Sequence, residues 1–495
     1  MKGLNADNLL TAWLESAWPL RLRSVPVAGN ASVGELVGRL ASLPCPVLLD
    51  SSARDDRFGR WSVAAFEPIA TVSLEQDRLC QADGSVFAEG SEAVWDALGR
   101  LLRARSSPVG DCPYGPGWFG YLGYELGRLI EHLPGRAGRD MQLPDLHLGL
   151  YDVAAVYDAA GDSWQLVYLE DSPDQPGLQR RLAQWKQILA ETPARQRPRD
   201  LSQAHAETTV KPAACKSAFT PDAYRQAVTR CIDYIAAGDI FQVNLSQRLA
   251  VADPPSDAAI YRCLRRRNPA WYAAYLRLET PAGPRAICSC SPELFLRVRG
   301  RQVITRPIKG TRPRTGQAAA DRRAAEQLLQ SGKDNAELAM IIDLLRNDLG
   351  RLCRYGSVRV SQARVLEEHP TVYHLVGTVE GELVDGAGPA DLLRATFPGG
   401  SITGAPKIRA MEIIDELEPH ARGPYTGCIG TVSLTGQAEW NIAIRTIVWS
   451  PQTAWLQVGG GIVADSGPQA ELDETLDKAR AMLEAIELAR QEGKT

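Results

Sequence analysis

The sequence has almost no excess of charge of either sign. Its 495 residues contain 55 Lys and Arg against 59 Asp and Glu, so the formal net charge is −4. A balance this close to zero provides no overall field to attract nucleic acid or an anionic membrane. One basic cluster, Arg265–Arg267, interrupts the balance, and we interpret it as the end of a helix or a solvated face rather than a binding patch. The charge pattern therefore predicts neither a nucleic-acid partner nor a membrane-surface protein.

Metal-binding cysteine pairs, a signal peptide and long apolar runs are also lacking. The ten cysteines are scattered, and Cys288 and Cys290 are followed by no second Cys or His cluster at zinc-site spacing. The first residues, MKGLNADNLLTAWLESAW, have neither the basic nor the apolar region of a signal peptide, and no apolar run is long enough to span a bilayer. Scattered thiols without a secretory leader are typical of a reducing compartment. We therefore expect a soluble, cytoplasmic protein.

What the sequence does have is the composition of a large globular protein, with 44% apolar and 23% charged residues. Short β-rich runs between Gly, Pro and Ser predict a β-rich region over residues 1–170. Residues 171–216 are proline-rich and largely aperiodic, which predicts a linker with one short helix. Residues 217–495 mix strands with amphipathic helices and form the candidate catalytic region. Because strands and helices do not alternate regularly, we predict an α+β protein with antiparallel sheets.

Capping and periodicity predict individual elements within the catalytic region. Thr220, followed by Pro221, has the pattern of a helix start. Residues 333–352 and 468–491 have the spacing of two long amphipathic helices. The alternating run AEWNIAIRTIVW, residues 438–449, predicts a single strand.

Two glycine-rich stretches stand out in the same region. VGGGIVADSG, residues 458–467, reads as a strand followed by three glycines whose bare N–H groups could line a carboxylate or phosphate; a flexible turn is the plainer interpretation. PGGSITGAPK, residues 398–407, resembles a nucleotide P-loop but lacks its spacing, and Pro406 removes an N–H group that a phosphate cradle would use. We therefore do not expect ATP binding.

Glu293 and Lys309 are the candidate acid and nucleophile. Glu293 follows a predicted strand, and Lys309 comes sixteen residues later in the basic stretch RPIKGTRPR. A lysine must be neutral to attack, which requires burial or a nearby cation to lower its pKa. His374 is a candidate base or positioning group, and Arg445 a candidate clamp for a carboxylate, although either could instead be structural.

Carboxylates on two predicted helices suggest a hard-cation site. Glu337 precedes an apolar run on one helix, whereas Glu471, Glu474 and Lys478 share one face of the terminal helix. A single Glu from each of two helices can hold Mg²⁺ with water and substrate oxygens completing the shell. Solvated surface charge is the alternative for the terminal helix, because spacing alone does not show that Glu337 and Glu474 meet.

These residues lie in a series of motifs that resembles the chorismate-utilising enzymes, the family that includes the anthranilate, aminodeoxychorismate and isochorismate synthases. The resemblance covers nearly the whole chain and is strongest over residues 219–480. It implies the anthranilate synthase component I-like fold, in which antiparallel β-sheets pack face to face with helices on the outside. The motifs that carry the resemblance are GDIFQVNLSQR, SPELF, RPIKGTRPR, DNAELAMIIDLLRNDLGR, FPGGSITGAPKIRAMEIIDELEP, GCIG, IAIRT, GGGIVADS and ETLDKA.

The resemblance also implies roles for individual residues. Mg²⁺ held by Glu337 and Glu474 would bind the ring carboxylate of chorismate, while Glu293 would protonate the departing 4-hydroxyl group and Lys309 would attack C2. The substrate contacts that it implies come from Gly310, Thr311, Tyr425, Arg445, Gly459, Gly461, Lys478 and Gln242. Asp334 stands where anthranilate synthases tend to have a second glutamate, and we assign it no role.

Two positions indicate which reaction of the family this chain resembles. Anthranilate synthases have alanine where Lys309 stands, whereas aminodeoxychorismate synthases have the sequence PIKGT, as here. Gln242 stands where the water-activating members have a lysine base, which disfavours hydroxyl transfer. The resemblance thus implies amination of chorismate at C4 through a Lys309 adduct, in the 4-aminobenzoate and folate pathway. Anthranilate formation is one alternative, and a non-catalytic amino-acid-binding protein of the same fold is another.

Two further ligands are implied by the family. Its ammonia comes from glutamine through a glutaminase subunit, and TGCIG around Cys428 lacks the leading glycine of a glutaminase nucleophile elbow. We therefore expect a separate glutaminase partner. Asp50 and Ser51, in LLDSS, stand at the family's tryptophan pocket, although Asp50 departs from the Glu-Ser form of the feedback-sensitive enzymes. Tryptophan is accordingly a candidate ligand.

Overall fold

The computed structural model describes residues 10, 13–14, 19–29, 31–53, 55, 57–107, 112–193, 210–369 and 372–493. Within these ranges the strands form two antiparallel sheets of twelve strands each. In chain order the strands are β1 Leu22–Val27, β2 Val47–Asp50, β3 Trp61–Ala65, β4 Ala70–Glu75, β5 Arg78–Gln81, β6 Val86–Glu89, β7 Gly117–Leu122, β8 Leu146–Tyr151, β9 Val153–Asp158, β10 Ser163–Leu169, β11 Lys216–Ser217, β12 Gln242–Ala252, β13 Tyr272–Thr280, β14 Gly283–Ser291, β15 Leu294–Arg299, β16 Gln302–Arg306, β17 Ile308–Pro313, β18 Arg359–Glu368, β19 Val372–Glu382, β20 Gly404–Ala405, β21 Cys428–Ser433, β22 Ala438–Asn441, β23 Thr446–Trp449 and β24 Thr453–Ile462.

The helices of the same part of the chain flank these sheets. They are α1 Val33–Leu40, α2 Ser91–Leu101, α3 Gln175–Glu191, α4 Pro221–Ala236, α5 Asp257–Arg267, α6 Ala318–Gln330, α7 Gly332–Gly350, α8 Pro389–Thr396, α9 Lys407–Leu417 and α10 Pro468–Glu492. Two 3₁₀ turns, Tyr124–Leu129 and Gly400–Ile402, complete the set. Among the described helices, none has the length and apolar content required to cross a membrane.

Each sheet contains strands from both halves of the chain. The first sheet has the order β1-β10-β9-β3-β2-β13-β14-β23-β24-β12-β11, with β20 paired to β12. The second has the order β17-β19-β16-β15-β22-β21-β7-β8-β4-β5-β6, with β18 paired to β19. Because β2 pairs with β13 and β7 pairs with β21, the predicted regions 1–170 and 217–495 share both sheets.

The two sheets pack face to face over an apolar layer. Val156 and Leu276 of the first sheet and Phe119 and Ile429 of the second belong to one buried cluster. Two other clusters join the outer faces of the sheets to the helices. The expected α+β architecture, with helices on the outside, is confirmed.

Two helix ends agree with the sequence predictions, the start of α4 and the end of α5. The Thr220 side chain accepts a hydrogen bond from the Ala223 N–H group at the start of α4. The Arg265–Arg267 cluster lies in the last turn of α5, where the three side chains pair with carboxylates of Asp50, Glu492 and Glu484. The cluster is therefore a helix end, as interpreted from the sequence.

Two local predictions differ from the structure. The predicted linker contains α3, a 17-residue helix that is longer than expected, while residues 194–209 lie outside the described ranges. The predicted single strand at 438–449 is wrong, because β22 belongs to the second sheet and β23 to the first. The chain crosses between the sheets at residues 442–445, and Arg445 has a φ of 50° there. Because residues on either side of the crossing are buried in one sheet or the other, the apolar alternation continues across it. The sequence alone therefore does not show where one strand ends and the next begins.

Candidate active site

A bulge in β17 presents Lys309. The pairing of β17 with β19 shifts register between Lys309 and Thr311, with Gly310 at a φ of +76°. A Cβ atom on Gly310 would lie 2.6 Å from Leu328 Cδ1 and 2.9 Å from Asp334 Cγ. Glycine is therefore required by both the backbone conformation and the close approach of α7. Asp334, to which no role was assigned, accepts a hydrogen bond from Arg312 at 3.1 Å and so ties α7 to this strand.

The Lys309 amine lies in a setting that favours its neutral form. Its Nζ atom donates a hydrogen bond to the main-chain oxygen of Ser401 at 3.2 Å. Burial lowers the pKa of Lys309 below its ordinary value, although the charges of Glu337 and Glu293 oppose that shift. A lowered pKa increases the fraction of the amine that carries a free lone pair, which is the form that attacks carbon.

Glu293 lies beside the same serine. The Ser401 hydroxyl donates to Glu293 Oε1 at 2.6 Å, and the carboxyl group is buried. Burial raises the pKa of Glu293 to about 7, while the Ser401 hydrogen bond and the charge of Lys309 limit the rise. A carboxyl group with a pKa near neutrality can both give and take a proton, as a general acid must.

Two helices bring the predicted metal-binding carboxylates into one region. Lys333 Nζ lies 3.9 Å from Glu337 Oε1 on its own helix, α7, and also 3.9 Å from Glu471 Oε1 on α10. Glu474, one turn along α10 from Glu471, pairs with Lys478 at 2.7 Å. The structure therefore brings Glu337 of α7 and Glu474 of α10 into one region, which the Lys333 contacts bridge.

The pKa values of Glu337 and Glu474 depend on the charged groups around them. Burial raises the pKa of Glu337, and the neighbouring carboxylates of Asp334 and Glu474 raise it further against the opposing effect of Lys309 and Lys333. Burial likewise opposes ionisation of Glu474, but the Lys478 ammonium lowers its pKa overall. A divalent cation bound here would offset the repulsion by which the Glu474 carboxylate raises the pKa of Glu337.

This donor set fits Mg²⁺ in one particular way. Among the described residues, no three His, Cys, Asp or Glu side chains form a group that could hold a metal ion by themselves. Mg²⁺ generally takes one or two carboxylates and fills its remaining positions with water and substrate oxygens. Glu337 and Glu474 match that pattern, so the residues present fit the cation implied by the sequence.

The three glycines predicted to follow a strand instead lie inside one. Gly459, Gly460 and Gly461 belong to β24 and pair with β12, so the flexible-turn interpretation is wrong. A Cβ atom on Gly460 would lie 3.0 Å from Glu471 Oε2 and 3.7 Å from Glu474 Oε1. The bare strand therefore lets the carboxylates of α10 approach the backbone, while the Gly459 carbonyl accepts a hydrogen bond from Lys478 at 2.8 Å.

Gln242 reaches the same strand from β12. A Cβ atom on Gly461 would collide with the Gln242 side-chain amide and would lie 3.7 Å from Lys309 Nζ. Within the described residues, the buried Gln242 Oε1 atom has no hydrogen-bond partner. The glycine strand thus brings Gln242 and Lys309 together, with one amide oxygen left to accept from a ligand.

Arg445 is held by an amide and not by an acid. Its Nη1 atom donates to Asn268 Oδ1 at 2.7 Å, and no carboxylate of the described residues forms an ion pair with it. Burial lowers the pKa of its guanidinium. Tyr425 is buried, and its ring lies 5.8 Å from the Arg422 guanidinium, so it belongs to a neighbouring buried network.

His374 is joined to β17 two residues after Lys309. Its Nδ1 atom lies 2.9 Å from the Thr311 hydroxyl, and its ring packs against His369 at 4.9 Å. Burial lowers the pKa of His374 well below its ordinary value, and the charges of His369 and Arg445 act in the same direction. The imidazole is therefore neutral at physiological pH, which suits a hydrogen-bonding or base role better than that of an acid.

Asp50 and Ser51 are engaged with the protein itself. Buried Asp50 pairs with Arg265 and accepts from the Tyr261 hydroxyl at 3.2 Å. The Ser51 hydroxyl donates to the main-chain oxygens of Trp61 at 2.9 Å and Trp271 at 3.0 Å. The cavity that Asp50 and Ser51 line has a volume of about 30 Å³. That space suits one or two water molecules and is far smaller than an indole ring.

Added tryptophan is expected to leave the thermal unfolding midpoint unchanged at millimolar concentration. The reason is that this cavity has no room for the ligand without displacing packed aromatic rings. Differential scanning fluorimetry with tryptophan, and with phenylalanine as the matched amino-acid control, provides the measurement. A midpoint that rises with tryptophan concentration alone would contradict the prediction, because a ligand that binds the folded state stabilises it by mass action.

Several site residues were not anticipated from the sequence. Ser401 lies in the stretch singled out as a failed P-loop, so the glycines were noticed while the serine between them was not. Lys333 connects two helices that are far apart in sequence, which no local pattern could reveal. Cys428 is buried in β21, and burial raises the pKa of its thiol, which disfavours the reactive thiolate.

Comparison with known proteins decides the family. The sequence profile of the chorismate binding enzymes matches residues 46–484. The chain belongs to this family. Among its relatives, aminodeoxychorismate synthase component 1 of Bacillus subtilis (strain 168) is 40% identical to this chain over 453 residues. The match covers 90% of this chain and 93% of that protein. Anthranilate synthase component 1 of Thermus thermophilus is 43% identical over 452 residues, with coverages of 90% and 93%.

A solved structure supports the same assignment. Anthranilate synthase component I from Streptococcus pneumoniae TIGR4 matches with a TM-score of 0.74 at 32% identity, covering 87% of this chain and 94% of that chain. The chain is therefore an enzyme of the chorismate-binding family with the fold expected from its motifs. Because relatives with two different names match at similar identity, the family assignment leaves the choice of reaction to the residues of the site.

Proposed function

We propose that this enzyme aminates chorismate at C4 and releases 4-amino-4-deoxychorismate. The observation that carries the proposal is that Lys309 and Glu293 both bond to Ser401. Lys309 Nζ lies 3.2 Å from the main-chain oxygen of Ser401, and Glu293 Oε1 lies 2.6 Å from its hydroxyl oxygen. An amine with a lowered pKa and a carboxyl group with a pKa of about 7 supply a nucleophile and an acid in one buried place. A non-catalytic binding protein would have no need of such a pair.

The two groups allow amination in two displacements. The neutral Lys309 amine bonds to C2 while Glu293 protonates the 4-hydroxyl group, which leaves as water. Ammonia then bonds to C4, the bond from C2 to Lys309 breaks, and the lysine leaves as a neutral amine. The Glu293 carboxylate takes a proton from the new C4 ammonium group, which restores the starting enzyme. The second displacement returns the new group to the carbon that lost the hydroxyl group.

The surrounding residues are proposed to hold the two carboxylates of chorismate. Arg445, which has no acidic partner among the described residues, would clamp the enolpyruvyl carboxylate with Tyr425 nearby. Glu337 and Glu474 would hold Mg²⁺, which supplies positive charge for the ring carboxylate when it is bound. The glycines of β24 and β17 keep side chains away from that region, and Lys478 lies beside Glu474.

Ammonia is proposed to come from a separate glutaminase subunit. Both curated relatives described above are named as component 1 of their enzymes. Cys428, in the one sequence stretch that approaches a glutaminase motif, is buried and therefore unsuited to attack glutamine. The buried Gln242 replaces the lysine base of water-activating enzymes, which leaves ammonia rather than water as the incoming nucleophile.

Anthranilate formation is the second candidate. It is favoured by the 43% identity to the Thermus thermophilus anthranilate synthase component 1. In that reaction ammonia attacks C2 directly, and a lysine amine adjacent to the same carbon would have no part as a nucleophile. The position of Lys309 therefore favours C4 amination.

Purified protein supplied with chorismate, Mg²⁺ and ammonium chloride is expected to form 4-amino-4-deoxychorismate. Liquid chromatography with mass detection identifies the product, and fluorescence detects anthranilate directly. Removal of divalent cations with EDTA is the control, and it should stop turnover if the carboxylates of Glu337 and Glu474 act through a cation. Anthranilate as the main product, without any added lyase, would overturn the proposed reaction while leaving the family assignment intact.

A further inference from the structure

The stretch 398–407 has a role at the active site that is unrelated to phosphate binding. Its 3₁₀ turn, Gly400–Ile402, is buried and lies against β20 and α7. A Cβ atom on Gly400 would collide with the Leu344 side chain of α7, so the turn packs too closely for any larger residue. Ser401, in the middle of the turn, is only 7% exposed.

Ser401 contacts both reacting groups, through different atoms. Its hydroxyl group donates to Glu293 Oε1 at 2.6 Å, and its main-chain oxygen accepts from Lys309 Nζ at 3.2 Å. Glu293 follows β14 and Lys309 lies in the bulge of β17, so neither strand alone sets the spacing between them. Ser401, which bonds to both, lies 92 residues beyond Lys309 and 108 beyond Glu293 in the sequence.

We propose that Ser401 is a positioning residue for the reaction, which holds Glu293 through its hydroxyl group in both protonation states and holds the Lys309 amine through its carbonyl group. The inference deepens the proposed function and rests on it for the roles of the two groups. Ser401 forms no bond to substrate in this scheme. It acts through Glu293 and Lys309.

The chemistry of a hydroxyl group explains why serine suits this position. A hydroxyl group can donate one hydrogen bond and can accept others. It therefore donates to Glu293 when the carboxylate is ionised, and it can accept from Glu293 when the carboxyl group is protonated. The proposed cycle takes Glu293 through both states. An alanine would leave the carboxylate without its short hydrogen bond in a buried place.

The turn that carries Ser401 is anchored on both sides. The Thr403 hydroxyl donates to the Gly399 carbonyl at 3.0 Å, and the Asn244 N–H group donates to the Thr403 carbonyl at 2.8 Å. Buried Arg422 donates to the Ile402 carbonyl at 3.1 Å. These contacts fix the main chain next to Ser401, so its hydroxyl and carbonyl groups have little freedom to drift from Glu293 and Lys309.

The charge surroundings of Glu293 define the direction of the expected pH effect. Lys309, from β17, is the charged side chain that acts on Glu293 in the described part of the chain, and it lowers the pKa of the carboxyl group. The Ser401 hydrogen bond lowers that pKa as well, whereas burial raises it. Loss of the hydroxyl group therefore raises the pKa of Glu293 from about 7 toward a higher value.

The test is the pH dependence of chorismate consumption by Ser401→Ala in the full chain, with ammonium and Mg²⁺ present. We expect kcat to fall by about tenfold or more. The limb of the pH–rate profile that lies near pH 7 should move to higher pH by about one pH unit. Ser401→Thr retains a hydroxyl group and should keep the wild-type limb. Ser401→Cys has nearly the same shape as serine but only a weak donor, so it should shift the pH limb as alanine does. It replaces the alanine variant if that variant does not fold.

A second comparison separates positioning from general structural damage. In a Glu293→Gln background, Ser401→Ala should cost much less activity than in the wild type, because two residues that act as a unit are not additive. An unshifted pH limb in Ser401→Ala, or a full additional loss in the Glu293→Gln background, would overturn the inference.

This outcome is independent of which carbon is aminated, because the assay follows the loss of chorismate. If the wild type forms anthranilate, the proposed function fails while the comparison of pH limbs still tests Ser401. If the wild type forms 4-amino-4-deoxychorismate and Ser401→Ala keeps the wild-type limb, the inference about Ser401 fails alone.

Discussion

Replacement of Lys309 by alanine is expected to lower the rate of 4-amino-4-deoxychorismate formation by at least about three orders of magnitude, because the variant has no nucleophile for C2. Glu293 remains able to protonate the 4-hydroxyl group, so ammonia can still attack C2 directly. We therefore expect a small amount of anthranilate in place of the wild-type product. Liquid chromatography of reactions with chorismate, Mg²⁺ and ammonium measures both products.

Intact-protein mass spectrometry provides a second measurement for Lys309. Wild-type enzyme incubated with chorismate without ammonia should gain the mass of a chorismate-derived adduct, and Lys309→Ala should not. Lys216→Ala is the matched control, since Lys216 lies exposed on the edge strand β11, and it should retain both turnover and adduct. An unchanged rate and product in Lys309→Ala would remove the covalent role.

The second large effect expected is on stability, at the buried pair of Arg422 and Glu418. Arg422 donates to both Glu418 oxygens, at 2.9 Å and 2.7 Å, and to the carbonyl groups of Ile402 and Asn244. Burial alone would lower the pKa of the Arg422 guanidinium, but the Glu418 carboxylate raises it overall. Arg422→Met leaves that carboxylate buried without its counter-charge, so the free energy of unfolding should fall by about 3–5 kcal/mol.

Urea denaturation followed by tryptophan fluorescence measures this loss. Arg480→Met is the matched control, because Arg480 forms an ion pair with Asp477 on the exposed face of α10. An exposed pair of this kind contributes about 1 kcal/mol or less, so the control should unfold close to the wild type. Equal effects of the two substitutions would show that the Arg422 network does not stabilise the fold as its burial indicates.

The parts of the site that were predictable from the sequence lie in locally readable motifs. Glu293, Lys309 and Glu337 each belong to a motif whose residue types already indicate an acid, an amine nucleophile or a hard-cation ligand. The helix that starts after Thr220 was equally readable, because an N-cap acts within one turn. Chemistry that depends on a residue's own type and its immediate neighbours is visible without tertiary structure.

The parts that were missed depend on contacts between distant segments. The run 438–449 was predicted as one strand because burial on either sheet produces the same apolar alternation, and only the two-sheet arrangement separates β22 from β23. The glycines at 459–461 were predicted to follow a strand, with a flexible turn as the plainer interpretation, but they lie within β24. Glycine is needed there because the side chains of Glu471, from α10, and Gln242, from β12, approach the backbone closely.

The sequence by itself determined the family and the α+β class, because its motifs resemble those of the chorismate-utilising enzymes, and it supplied Glu293 and Lys309 as the candidate reactive groups. Only the tertiary structure decided how those groups act on one another. Burial, which no local pattern measures, sets the pKa of Glu293 near 7 and lowers that of Lys309. The contact of both with Ser401 arises because the sandwich brings a turn of the C-terminal region against two strands that precede it by about a hundred residues.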